Sequence, residues 1–270
     1  MGRIRYYCSV GSLYIKQSLQ STLEYPANLA GWFISNLMQF GIGFAIIRFV
    51  IAEFGALQGW GLAELAFLYG LSVLSHGISV ILFVPTWYMG NLIVDGEMDL
   101  FLLRPLNVLF QFLFLDFNLI GITDLIPGAL IFAYGCISLH FVLTWLNVLY
   151  IVLAVVGGAL IRGGIWLMLG SISFWVKNRA SFIVLTMQLY DKTTMYPLSI
   201  YPRFLQIFFT VVIPLGWIAL YPASGILDKT LPFYIPVSMP VVSMAVGALL
   251  FLIACLMFMR GLKRYESAGT

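Results

Sequence analysis

Asp95-Gly96-Glu97-Met98-Asp99-Leu100-Phe101-Leu102-Leu103-Arg104-Pro105 sets three carboxylates and one guanidinium between two long apolar runs. Charge is scarce elsewhere: the 270-residue chain is 61% hydrophobic and 9% charged, with a mean hydropathy of +0.99. That composition does not suit a water-soluble core. Apolar runs of roughly 20 residues cross hydrocarbon as helices, which pair every backbone group internally. A membrane barrel needs alternating segments of ~10 residues, and no such alternation is visible. The chain reads as an all-α polytopic membrane protein, with 95–105 as a water-facing break between spans.

Upstream of the break, residues 63–94 form span two, which is longer than a bilayer needs and carries Pro85 as a kink position. Residues 27–51 form span one, joined to span two by the link 52–61. Downstream, Asn107, Gln111 and Asp116 interrupt 106–117, which suits an interfacial helix. Spans three to six follow at 119–139, 148–176, 204–221 and 241–259. Gly157, Gly158, Gly163, Gly164 and Gly170 in span four permit close helix approach. Residues 180–203, with Asp191, Lys192 and two Tyr-Pro pairs, read as a partly amphipathic inner connection. Four prolines break 222–240 into an outer loop or short re-entrant helices between spans five and six.

Residues 1–26 form a separate N-terminal element. Ile4, Tyr7, Gly11, Tyr14, Ile15, Ser18, Leu19 and Thr22 recur at helical spacing, which predicts an amphipathic helix on the membrane surface. No signal-peptide layout is present, so span one is expected to act as an uncleaved targeting signal. The transmembrane unit is then 27–259, followed by a tail at 260–270.

Positive charge orients the spans. Placing the N-terminus, 95–118, 177–203 and the tail on one side collects eleven of the fourteen Lys and Arg. The other side holds Lys229, while Arg48 and Arg162 fall within spans. This asymmetry predicts cytoplasmic termini and an even number of spans, six. No internal repeat of the kind that builds many secondary transporters is found.

Several chemistries are excluded. GxxxxGK followed by Ser or Thr is missing, and no Gly-Lys pair exists, so the chain has no phosphate loop of its own and energy from ATP must come through another chain. No HExxH occurs, and Cys8, Cys136 and Cys255 are scattered without metal or disulfide spacing. Ser75 and His76 are adjacent and project from different sides of a helix, which does not suit a nucleophile and its base. A net charge of +3 does not argue for nucleic acid. Arg162 near the middle of span four, Arg48 nearer the end of span one, and Asp124 are the translocation-path candidates, because charge at membrane depth is costly. Arg162 either meets an anionic or polar substrate group or pairs with an acid such as Asp124. Arg48 can also snorkel.

Asp95 and Asp99 lie one helical turn apart, Met98, Phe101 and Leu102 form an apolar triplet, and Pro105 stops the helix. This predicts a short cytoplasmic helix with an acidic face and a hydrophobic knob, suited to the groove of a soluble partner.

Gly96-Glu97-Met98-Asp99-Leu100, then Leu103-Arg104-Pro105-Leu106, resembles the G-E-I/M-D-x-x-L-x-R-P-L signature of bacterial permeases of the type-2 ATP-binding-cassette (ABC-2) exporter class, small six-span branch. Gly59-Trp60, Tyr69-Gly70, Ile200-Tyr201-Pro202, Ile213-Pro214 and Tyr221-Pro222-Ala223 extend the similarity along the chain. The resemblance implies a permease in the bacterial inner membrane, a homo- or heterodimer served by two copies of a cytosolic ABC ATPase. It implies that Gly96, Glu97, Asp99, Leu103, Arg104 and Pro105, with neighbouring Asp95, couple to that ATPase. ATP and Mg are expected on the partner, with no cofactor on this chain and membrane lipids around it. The cargo is open among lipid-linked, amphipathic and peptide- or drug-like molecules. The alternative is an ion-coupled secondary transporter or channel using Arg162 and Asp124.

Overall fold

The computed structural model describes residues 3–114, 116–176, 193–229 and 237–266. Parts of the expected inner connection (177–192), the outer loop (230–236) and the tail (267–270) lie outside the described residues.

Helix boundaries follow local chemistry. Helix α1 (Arg3–Glu24) ends just before Pro26, which opens α2 (Pro26–Phe54) at a position where its missing N–H costs nothing. Gly55, at φ +71°, closes α2. Helix α3 (Leu62–Phe83) begins with the Glu64 carboxylate accepting the Gly61 N–H at 2.8 Å. Pro85 tightens the next turn, Val84–Tyr88, before α4 (Met89–Val94) continues in the same direction. Short helices α5 (Asp99–Leu102) and α6 (Val108–Phe114) cover one end of the bundle. Helices α7 (Gly121–Ser138) and α8 (Trp145–Ser171) follow, the latter capped by Thr144 Oγ1 accepting the Asn147 N–H at 3.2 Å. After α9 (Ser173–Val176) come α10 (Arg203–Ile207), α11 (Leu220–Ile226) and α12 (Met239–Leu262).

Among the described residues five segments are long and apolar enough to cross a membrane, or six where the bent pair Arg203–Val212 and Leu215–Ile226 counts as one span. The described residues contain no named strand, and the fold is that of a polytopic all-α membrane protein. The apolar 18-residue stretch of Leu62–Val94 is 72% buried against 22% for those of Pro26–Phe54 and Met239–Leu262, so α3 is the axis and α2 and α12 are outer walls.

Glycines set the closest approaches. A Cβ on Gly121 of α7 would lie 2.6 Å from the Gly77 carbonyl oxygen of α3, and one on Gly135 would lie 2.6 Å from Phe67 N. The same holds between α8 and α12, where a Cβ on Gly247 would sit 2.5 Å from the Gly157 oxygen. Lipid chains are as apolar as leucine, so this interlocking, and the dispersion contacts it allows, does what the hydrophobic effect does in water.

The structure departs from the sequence reading in two places. The expected span 204–221, which carries Pro214 inside it, is bent at Ile213-Pro214, where the two limbs meet at 73°. Pro214 cannot donate to the helix and excludes the helical conformation of Ile213, which is extended at φ −118°. The first limb is exposed at Phe204, Ile207 and Val211, whereas Leu215 through Ser224 is buried without interruption. The bend therefore lies upstream of the proline-rich stretch 222–240. The second departure is in 95–105, where Gly96 at φ +77° ends α4 and only Asp99–Leu102 is helical. Asp95 and Asp99 therefore do not share a helix face.

Candidate functional site

The stretch 95–105 is folded by its backbone and by one buried amide. Past Gly96, the Met98 N–H reaches back to the Leu92 oxygen at 3.2 Å. Gln111 on α6, fully buried, donates through Nε2 to the oxygens of Phe101 and Leu106, both at 3.0 Å. These bonds satisfy one carbonyl at the end of α5 and one in the turn beyond it. Gln111 thus holds the segment in shape.

The apolar residues of the segment divide differently from the expected knob. Met98 is fully buried and Phe101 nearly so, in a cluster with Leu92, Phe112, Leu167, Phe174, Ala254 and Phe258. That cluster joins the ends of the segments containing α4, α8 and α12. Leu102, expected beside Met98 and Phe101, is instead 49% exposed, as are Leu100 and Leu103 at 59% and 81%. Asp95, Glu97, Arg104 and Pro105 are exposed around them. One face plugs into three membrane segments and the other offers leucines ringed by charge.

Two further elements meet this plate. Arg104 Nη1 donates to the Tyr14 hydroxyl at 2.8 Å, and the Asn107 N–H donates to the Tyr7 hydroxyl at 3.1 Å. Tyr7 packs edge-on to Phe110 at 5.0 Å, and Gly11 lies against Phe110 and Phe114. The covered residues of α1 are Tyr7, Val10, Gly11, Tyr14, Ile15, Ser18 and Thr22, largely the stripe expected from periodicity, although Leu19 is exposed and the Ile4 side chain lies outside what is described. At the other side, burial and the adjacent Asp99 carboxylate push the Tyr265 phenol up to about 12. Tyr265 also faces Phe174 edge-on at 6.3 Å. Behind the plate, Tyr88 donates to Asp116 at 3.2 Å, and burial raises the Asp116 carboxyl above the ordinary carboxylate value.

A second feature lies inside the bundle. A cavity of about 230 Å³ is bounded by Gln39, Phe40, Ile42, Gly43 and Ile46 of α2, by Tyr69, Ser72, Val73 and His76 of α3, and by Arg162 of α8, with Thr194 and Met195. Arg162 is 2% exposed, and its Nη2 donates to Ser72 Oγ at 2.8 Å and Thr194 Oγ1 at 3.4 Å. Asp124, also buried, lies 3.9 Å from His76 Nε2. Beside it, Asn36 donates to Thr123 at 2.8 Å. Arg48 is on the exposed face of α2 and does not line the cavity. Ser75 donates to the Ser72 oxygen within its own helix, as a packing serine does.

At the opposite end, Lys229 pairs with Glu64 at 2.6 Å, donates to the Gly59 oxygen at 2.6 Å and stands 5.3 Å over the Trp60 ring. This clamp fastens the end of α11 to the start of α3. No group of His, Cys, Asp and Glu suited to a metal ion is found among the described residues.

Several of these partners carry no motif. In the sequence Gln111 is only an interruption of an apolar run, and Glu64 carries no signal of its own. The sequence signal for the cavity is Tyr69, Ser72 and His76, polar side chains at helical spacing inside the α3 run.

Comparison with known proteins returns one family. A model described as ABC-2 family transporter protein matches residues 15–269. No curated protein and no solved structure matches.

Proposed function

Because the chain belongs to the ABC-2 transporter family, we propose that it is the permease subunit of an ATP-driven exporter in a bacterial inner membrane, with both termini in the cytoplasm. A separate cytosolic ATPase dimer supplies the energy, and a second permease chain completes the membrane unit.

One observation carries this reading. The segment 95–105 is double-faced: Met98 and Phe101 are locked into the cluster that joins three membrane segments, while Leu100, Leu103, Asp95 and Glu97 face outward. A partner that pushes on the outer face moves the inner face, and with it the ends of α4, α8 and α12, because packed interiors transmit displacement instead of absorbing it. The α1 helix, bonded through Tyr7 and Tyr14, moves with the segment. The exposed acids suit Lys or Arg on the rim of an ATPase groove, and the leucines suit its apolar floor. Gly96 shapes the turn, Arg104 ties it to α1 and Pro105 ends it. Asp99, beside Tyr265, links the C-terminal segment to the same plate.

The cavity between α2, α3 and α8 is the cargo site in this reading, with Arg162 lining it and Asp124 behind His76. Arg48 stays outside the path. Cargo is lipid-linked, amphipathic or peptide- and drug-like.

The test is co-purification of the ATPase with Glu97→Lys and Leu103→Ala permeases. Glu97→Lys is expected to lose the ATPase and Leu103→Ala to hold it at least about fivefold more weakly, while the permease keeps its thermal stability. Full retention by both variants would sink the coupling role. Uptake into inverted vesicles that requires ATP and survives collapsed ion gradients separates this function from ion-coupled transport.

A further inference from the structure

The cargo cavity has two unlike ends. Its inner end presents the Arg162 guanidinium with Ser72, Tyr69 and Thr194, all able to donate hydrogen bonds. Its α2 side carries Gln39, Ile42 and Ile46, which line the cavity and are exposed on the outer flank of the helix, the two isoleucines at 56% and 47%. Arg162 stands near the middle of the Trp145–Val176 segment, with roughly 26 Å of helix on one side of it and roughly 21 Å on the other. A guanidinium carries five N–H donors in a fixed fork, so it can hold structural partners and the oxygens of a further group together.

We propose that this cavity binds an anionic amphiphile head-first. A phosphate or carboxylate head sits at Arg162, and an alkyl chain leaves along Ile42 and Ile46 into the surrounding membrane. The inference rests on reading the cavity as the cargo site. Volume argues for the split arrangement: about 230 Å³ is below the roughly 300–1,000 Å³ of sites that enclose a whole drug-sized ligand, so a head fits and a tail does not. Polarity agrees, because the α2 side of the opening sets Ile42 and Ile46 beside the neutral amide of Gln39 and carries no charge that would draw in a hydrated free ion.

The experiment measures binding of radiolabelled octyl phosphate to the full chain in phosphatidylcholine nanodiscs, with empty discs subtracted. Binding is expected to saturate, to weaken at least about tenfold in Arg162→Gln, to weaken similarly in Ile42→Trp, and to be unchanged in Arg48→Gln. Ile42→Trp closes the mouth from an exposed position, so it decides the matter if Arg162→Gln fails to fold. Inorganic phosphate binding as tightly as octyl phosphate would make this a free-anion site and overturn the amphiphile. Octylammonium binding as tightly, retention of tight binding by both cavity variants, or lack of saturation in the wild-type chain overturns the site itself. The measurement needs no ATPase, so its failure is distinct from a failure of ATPase co-purification.

Discussion

Phe101 and Leu103 are two residues apart and have opposite fates, which makes them a paired test of how the 95–105 segment is built. Phe101 is 5% exposed, packs edge-on to Phe112 at 6.5 Å and shares its cluster with residues of α4, α8 and α12. Truncating a buried phenylalanine costs about 3–5 kcal/mol in a water-soluble core. At a membrane surface the unfolded side chain can still reach lipid, so part of the transfer term is lost and the lost dispersion contacts dominate. Phe101→Ala is therefore expected to cost about 2–3 kcal/mol, the low side of the usual range for large-to-small changes. Leu103, 81% exposed, touches little, and Leu103→Ala should change stability by no more than about 0.5 kcal/mol. Thermal unfolding of the purified permease in detergent reads the first effect as a clear fall in Tm and the second as none. ATPase affinity should then separate from stability: Leu103→Ala weakens capture of the partner by about 1 kcal/mol or more, as a central apolar contact does. An equal fall in Tm for the two variants would falsify the double-faced arrangement.

Three other outcomes are expected. Gly121→Val places a side chain where 2.6 Å separates a Cβ from the Gly77 oxygen, so α7 must shift off α3, and the expressed, detergent-stable fraction should drop sharply, whereas Gly41→Val, with no atom near its Cβ position, should be tolerated. Asp116 has its pKa raised above 3.8 by burial, so its contribution to stability is fully present below that value and is lost as pH rises through the folded pKa; Asp116→Asn, which cannot ionise, should flatten this part of the Tm against pH profile. Lys229→Met leaves the Glu64 carboxylate without its 2.6 Å partner, and because the pair is partly exposed the loss should be about 1 kcal/mol or less; a much larger fall in Tm would mean that the clamp holds the bent α10–α11 limb in place.

Pattern alone reached far into this protein because lipid imposes one rule on every span. Backbone groups must be satisfied inside each helix, so length and apolarity mark the segments, and Pro26, Gly55 and Pro85 mark their ends or turns. The α1 stripe and the glycine-rich α8 were legible for the same reason: periodicity is local. The turn at 95–98 was not, because a helical reading of 95–102 and a left-handed Gly96 place the same apolar residues on different faces. Leu102 went outward and Met98 inward once Gly96 had turned the chain.

Composition and charge settled that the chain is a membrane-embedded helical bundle, and the Gly96 to Leu106 motif pointed to the family that matches residues 15–269. Those properties are carried by residues near one another in sequence. Long-range pairings were decided by packing: Arg104 with Tyr14, Arg162 with Ser72, Lys229 with Glu64, and Gly77 against Gly121. Each joins residues dozens of positions apart, and helical periodicity says which face a residue occupies without saying which helix will meet it. The 73° bend at Pro214 belongs to both levels, since proline made the break and the space beside α3 and α8 received the second limb.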